Sequence, residues 1–126
     1  MKTLECRIWD KEQKRFVIYS PHISIGVNGK IINLQNGEGE NRYEANLYIG
    51  KKDINKTKLY EGDIVKVTWN DGLQDKETIA EILYDDKTAS FIMDDLKRTD
   101  IGFYFEHLKI EKIGDKYQNP EFLPKL

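Results

Sequence analysis

The sequence predicts a mainly β fold, an N-terminal β-hairpin region followed by a small SH3-like barrel in the C-terminal part, and three observations predict it. Apolar residues recur almost everywhere with period two, the spacing of strands with one buried face, rather than with the 3.6-residue period of a helix. Turn-forming groups, Asn28-Gly29, Asn70-Asp71-Gly72 and Asp85-Asp86-Lys87, punctuate that alternation. The stretch LYEGDIVKV, Leu59 to Val67, opens a strand with the Gly-Asp-apolar-apolar pattern common at the entry to small SH3-like barrels.

Each element follows in order. Arg7 and Trp9 alternate with Cys6 and Ile8, a charged loop runs from Asp10 to Arg15, and an apolar run from Phe16 to Tyr19 returns the chain, which describes a hairpin. Trp9 is then a packing aromatic. Cys6, the single cysteine, has no internal disulfide partner and reads as a small core hydrophobe on its strand. Ile23, Ile25 and Val27 alternate with Ser24 and Gly26, and a two-residue turn at Asn28-Gly29 sends the chain back through Lys30 to Leu34. The polar, glycine-rich segment Gln35 to Arg42 has little apolar area to bury, so it reads as a mobile surface loop. Leu47, Tyr48 and Ile49 anchor the chain beyond it. The division expected is an N-terminal β-region over 1–58 and a barrel part over 59–126.

In the barrel part, Glu61-Gly62 suits a type II turn, with glycine accepting the positive φ, and Asp63 is placed to bond the backbone as the strand starts. Val65, Val67 and Trp69 then share one face, and Ile64, Lys66 and Thr68 the other. Thr78 to Tyr84 and Thr88 to Met93 complete a three-stranded meander, with Ala89, Phe91 and Met93 on a common side. A last strand is expected near Leu108 to Ile113. The aromatic stretch Phe103, Tyr104 and Phe105 before it fits either a short helix or a strand. At Asn119-Pro120-Glu121 an N-cap residue, a proline suited to the first helical position and an acid suited to a helix N-terminus predict a single turn that docks Phe122 and Leu123.

Three segments, RIWDKEQKRF, IGKKDINKTKLYEGDIVKV and KIGDKYQNPEFL, occur in one order between Arg7 and Leu123, and together they resemble the YopX family of phage and prophage proteins. The resemblance implies a β-rich fold with an SH3-like barrel in its C-terminal part, a phage or prophage origin and no established biochemical activity. The middle segment departs from the family at Asn55-Lys56-Thr57, where an Asn-Gly pair is usual.

Composition narrows the function classes. Apolar residues make up 39% and charged residues 33% of 126, and a mean hydropathy of -0.66 describes a globular chain with a heavily solvated surface. The formal charge of -2, from 22 acidic and 20 basic side chains, gives no global field toward phosphate backbones or anionic lipids, although local patches are compatible with it. No apolar run reaches membrane-spanning length and the N-terminus has no signal-like stretch, so the expected setting is the bacterial host cytoplasm.

Catalytic and metal motifs are sparse. His22 and His107 lie far apart in the chain with only Cys6 as a third soft ligand, and no phosphate-binding glycine loop, GxSxG or HExxH is present. The pairs Asp85-Asp86 and Asp94-Asp95 are the one candidate for a metal-dependent hydrolase or nuclease, but strand rise separates them by roughly 25 to 30 Å and they read as turn and solvated strand-end carboxylates. No cofactor is implied. The chain has seven Tyr, five Phe and two Trp, more rings than a modest core consumes, and exposed rings on a barrel rim are typical contact anchors. Tyr60, Trp69, Tyr84 and Tyr104 are therefore the candidate binding residues, with Gly62 and Asp63 as a structural turn. A protein partner is expected, with single-stranded nucleic acid as the second possibility.

Overall fold

The computed structural model describes residues 5–17, 23–25, 31–33, 39, 41–97 and 108–125. The Asn28-Gly29 turn, His22, the Phe103 to Phe105 stretch with Tyr104, His107 and most of the Gln35 to Arg42 loop lie outside the described residues. Within them the fold is mainly β, and the chain divides into two compact units, residues 1–47 and 48–126.

In the first unit β1 (Cys6–Asp10) pairs antiparallel with the short β2 (Arg15–Phe16), placing Trp9 opposite Phe16. The rings meet edge to face with centroids 4.9 Å apart, and Trp9 is buried, the packing role its alternation predicts. Cys6, by contrast, is exposed. It faces the exposed Leu47 across the ladder, so its position on the strand carries it away from the core rather than into it. On its other side β1 pairs with residues 43–47 of β5 (Tyr43–Lys52). The turn between β1 and β2 is held by Asp10, which is buried and accepts from the backbone N–H groups of Glu12 and Gln13 at 3.0 and 3.1 Å. Arg42 Nη2 and Nε donate to the same carboxylate at 2.9 and 3.1 Å. The Arg42 bonds, helped by the turn N–H groups, outweigh burial and hold the Asp10 carboxyl below the usual range. The C-terminal end of the expected mobile loop is thus pinned at Arg42 by a bidentate ion pair.

A separate ladder joins β3 (Ile23–Ile25) to β4 (Ile31–Asn33), the predicted hairpin pair. Ile25 stands opposite Ile31, whereas a two-residue turn at Asn28-Gly29 would set it opposite Ile32. The register leaves an odd number of residues, 26–30, between the strands.

The second unit is built on a four-stranded sheet in the order β10-β7-β8-β9, comprising β7 (Asp63–Asn70), β8 (Asp75–Asp85), β9 (Ser90–Asp94) and β10 (Lys109–Asp115). The predicted meander and last strand are all present, and the sheet curls into a half-barrel. Cross-strand pairs Val65↔Ala80, Ile82↔Met93 and Val67↔Ile110 put one face inward, with Leu59 of β6 (Lys58–Tyr60) buried against it. Ile49 packs on the same cluster. Ile64 is fully buried too, although its parity turns it to the other face. Ala89 departs from expectation, lying in the β8–β9 turn at φ +50 rather than on the β9 face. Asn119 precedes a single 3-10 turn, Pro120–Phe122, but its side chain caps nothing there. Its Oδ1 instead accepts from Asp115 N at 3.3 Å, and a Cβ at Gly114 would lie 2.6 Å from that oxygen, which requires glycine at the β10 bulge. Phe122 is exposed rather than docked.

Asp53 ties the loop between β5 and β6 to the edge of β10. Its Oδ1 accepts from Asn55 N and Thr57 N, and its Oδ2 from Lys112 N, all at 2.9 Å, while Ile54 N donates to Ile110 O. Lys56 in this turn has φ +64, the left-handed conformation that suits the family's usual glycine. Burial pushes the Asp53 carboxyl up, but the three backbone N–H groups and the Lys112 charge outweigh it and hold the carboxyl below the usual range.

Two predictions follow from these turns. Gly62 has φ +85, and a Cβ there meets only the flexible end of Lys116 at 3.3 Å; Gly62→Ala is expected to cost about 1 kcal/mol of unfolding free energy, through backbone conformation rather than crowding. Urea denaturation measures it. Asp53→Asn keeps one acceptor oxygen but turns an amide N–H toward Lys112 N, and is expected to cost on the order of 1–3 kcal/mol at neutral pH. Because the folded pKa of Asp53 lies below its unfolded value, its contribution is complete above about pH 4 and is lost as pH falls through the folded pKa. The variant should therefore lose stability less steeply than the natural chain on acidification.

Candidate functional site

The aromatic candidates are not brought to one place. Trp69 lies at the far end of β7 opposite Lys76, whereas Tyr84 lies eight residues further along β8, about 27 Å away by strand rise. Tyr84 is 47% exposed and meets Phe91 edge to face at 5.5 Å. Tyr60 is half-buried in β6, opposite Tyr48 of β5, with ring centroids 5.7 Å apart. Tyr104 lies outside the described residues. Tyr60 and Tyr84 sit toward the same end of the sheet, the end at which Gly62 N donates to Ile82 O at 2.8 Å.

Gly62 and Asp63 form a structural turn. Asp63 is fully buried, its Oδ2 accepts from Tyr60 N at 2.8 Å, and Lys112 Nζ stands 3.3 Å from its Oδ1. Lys112 thus donates its backbone N–H to Asp53 and its ammonium to Asp63, joining two buried carboxylates through one residue of β10. Asp115, opposite Asp63 in the ladder, accepts from Tyr117 N, Gln118 N and Gln118 Nε2. These carboxylates have their lone pairs directed at backbone donors, which is the chemistry of a scaffold rather than of an acid or base.

The aspartate pairs sit closer than strand rise alone predicts. Asp85 is opposite Ser90 and Asp94 opposite Glu81, so four residues, about 13 Å, separate them along the ladder. That span exceeds a shared cation's reach. Asp85 accepts from Lys87 N and Thr88 Oγ1, and Asp94 from Leu96 N. Asp95 is not solvated: it is buried and accepts from Thr78 Oγ1 and Lys97 N, both at 3.0 Å. Among the described residues no three His, Cys, Asp or Glu side chains are grouped as metal ligands. No helix among them is long and apolar enough to cross a membrane.

A concavity of about 600 Å³ opens at the Trp69 end of the sheet and is lined by Trp69, Gly72, Asp75, Lys76, Glu77 and Lys109 together with Thr68 and Asn70. Trp69 packs one side against the core cluster and turns the other to this space. The adjoining turn is shaped by Asn70 and Asp71, whose side-chain oxygens accept from Gly72 N, Leu73 N and Gln74 N. The Gln74 N–H, then the Leu73 N–H, holds the Asp71 carboxyl below the usual range. Leu73 at the tip is 94% exposed. Periodicity points to Trp69, but not to Leu73, Lys76 or Lys109; the available signal was one large apolar residue inside an otherwise polar turn.

Two solved structures share the fold over nearly the whole length. The protein EF1440 from Enterococcus faecalis superposes with a TM-score of 0.59 at 20% identity, covering 96% of this chain and 98% of its own. The protein yopX from Bacillus subtilis superposes with a TM-score of 0.56 at 24% identity, covering 98% of this chain and 99% of its own. No curated protein matches the chain. The family model described as "YopX protein" matches residues 5–124, and the chain belongs to the YopX family.

Proposed function

We propose that this YopX-family chain is a non-enzymatic binding module, a phage or prophage accessory protein of the host cytoplasm, which docks a protein partner at the Trp69 end of its half-barrel. One observation carries the reading: Leu73, 94% exposed, stands in a turn rigidified by Asn70 and Asp71 that follows directly on the strand carrying the half-buried Trp69. Because the turn is already ordered, a partner that covers this side chain gains its burial without first having to order the loop. The indole lines the concavity, where Asp75, Lys76, Glu77 and Lys109 supply a rim of mixed charge, and the adjoining turn adds the leucine, an apolar and polar mixture of the kind found in protein contacts. Two cations against two anions give no net field for phosphate, which favours protein over nucleic acid here.

Leu73→Asp is expected to abolish partner retention when the tagged chain is purified from phage-infected or prophage-induced cells, while leaving the melting temperature unchanged, because the side chain contributes almost nothing to the folded core. Equal retention by both forms would place the contact elsewhere. Mg²⁺, Mn²⁺ and Zn²⁺ are expected to leave the melting temperature unchanged; a reproducible rise of several degrees with one ion would favour a metal-dependent hydrolase, since a ligand of the native state stabilises it by mass action.

A further inference from the structure

The β5–β6 hairpin concentrates lysines. Between Tyr48 and Tyr60 the chain places Lys51, Lys52, Lys56 and Lys58 with a single acid, Asp53. Asp53 is buried, and its carboxylate is committed to the backbone N–H groups of Asn55, Thr57 and Lys112. Lys51, Lys52 and Lys56 are exposed and Lys58 is half-buried, so the charge this hairpin shows to solvent is positive in a chain whose formal charge is -2. Lys52 stands opposite Lys58 in the register. Like charges facing each other across an antiparallel pair destabilise it. Lys56 adds a further cost by holding a left-handed conformation at φ +64.

Beside the lysines stands a pair of rings. Tyr48 is opposite Tyr60, with centroids 5.7 Å apart and planes inclined at 47°, and Lys58 Nζ lies 5.4 Å from the centre of the Tyr48 ring. Leu59 is in the core and Ile49 packs against it, so strand alternation turns Tyr48, Lys58 and Tyr60 to the opposite face of the hairpin. Half-buried rings flanked by a ladder of ammonium groups match single-stranded nucleic acid, whose unpaired bases stack on aromatic faces while its phosphates meet cations. An acidic peptide would engage the lysines but brings no flat bases to the rings.

We infer that the outer face of the β5–β6 hairpin is a binding site for single-stranded nucleic acid, with Tyr48 and Tyr60 as the stacking platform and Lys52, Lys56 and Lys58 as phosphate contacts. Its residues are distinct from those of the Trp69 concavity. Fluorescence anisotropy of the full chain with labelled oligothymidylate and oligouridylate of about 15 nucleotides tests it, each titrated at about 50 and 200 mM salt. Binding is expected, with log K falling against log salt at a slope of about -2, as three neutralised phosphates of a single strand give. Lys52→Glu should weaken it roughly tenfold while leaving the melting temperature equal or higher, because it turns a repulsive cross-strand pair into an attractive one. Tyr60→Ala should weaken it by about tenfold through lost stacking, and Leu73→Asp should leave it unchanged, which separates this site from the protein-docking surface. No binding to either oligonucleotide at the lower salt overturns the inference. So does binding that ignores Tyr60→Ala and is equalled by polyglutamate, the signature of charge alone.

Discussion

Aspartate side chains that accept backbone N–H groups hold this fold together. A β protein of this size must reverse direction often, and each reversal leaves N–H groups that no ladder satisfies. Asp10, Asp53, Asp71, Asp85 and Asp115 each take such donors within a few residues of their own position, turning a flexible polar segment into a defined bend. Asp53 does more than this. Its second oxygen reaches Lys112 N, 59 positions away in sequence, so one carboxylate shapes a local turn and also fastens it to the edge of β10. A carboxylate in that position is retained by geometry, since removing it orphans donors on two segments at once.

The strands were legible in the sequence wherever one face is apolar and the neighbour is close. Val65, Val67 and Trp69, and then Thr78 to Tyr84, announce β7 and β8 by alternation, and short polar turns set their order. What was not legible is whether a polar residue at a turn is wet or buried. Asp95 and Asp85 read alike, yet Asp95 is sealed against Thr78, because its surroundings come from another strand. Cys6 and Phe122 fail for the converse reason: an apolar residue near a chain end or at the start of a strand is buried only if something distant covers it, and local pattern contains no such information. Of the binding candidates, Trp69 lines a concavity, but its neighbours Lys76 and Lys109 come from strands that only the ladder brings together.

Formal charge misleads for the same reason. The count of 22 acids against 20 bases includes the buried carboxylates of Asp53, Asp95 and Asp115, which face donors inside the protein. The β5–β6 hairpin, with four lysines and one acid between Tyr48 and Tyr60, shows that a weakly acidic chain can carry a basic segment that the net value conceals.

Lys56 illustrates how such clamps affect the freedom of the sequence to change. A turn shaped only by its own residues needs glycine at a left-handed position, and any replacement there is removed by selection. Here the bend is imposed by Asp53 from outside the turn's tip, through Asn55 N and Thr57 N, and the free energy of those bonds exceeds the roughly 1 kcal/mol that a Cβ costs in the left-handed region. The tip position is thereby released from its backbone duty and becomes open to drift, so that a lysine, with whatever contact it brings, can be acquired without passing through an unfolded ancestor.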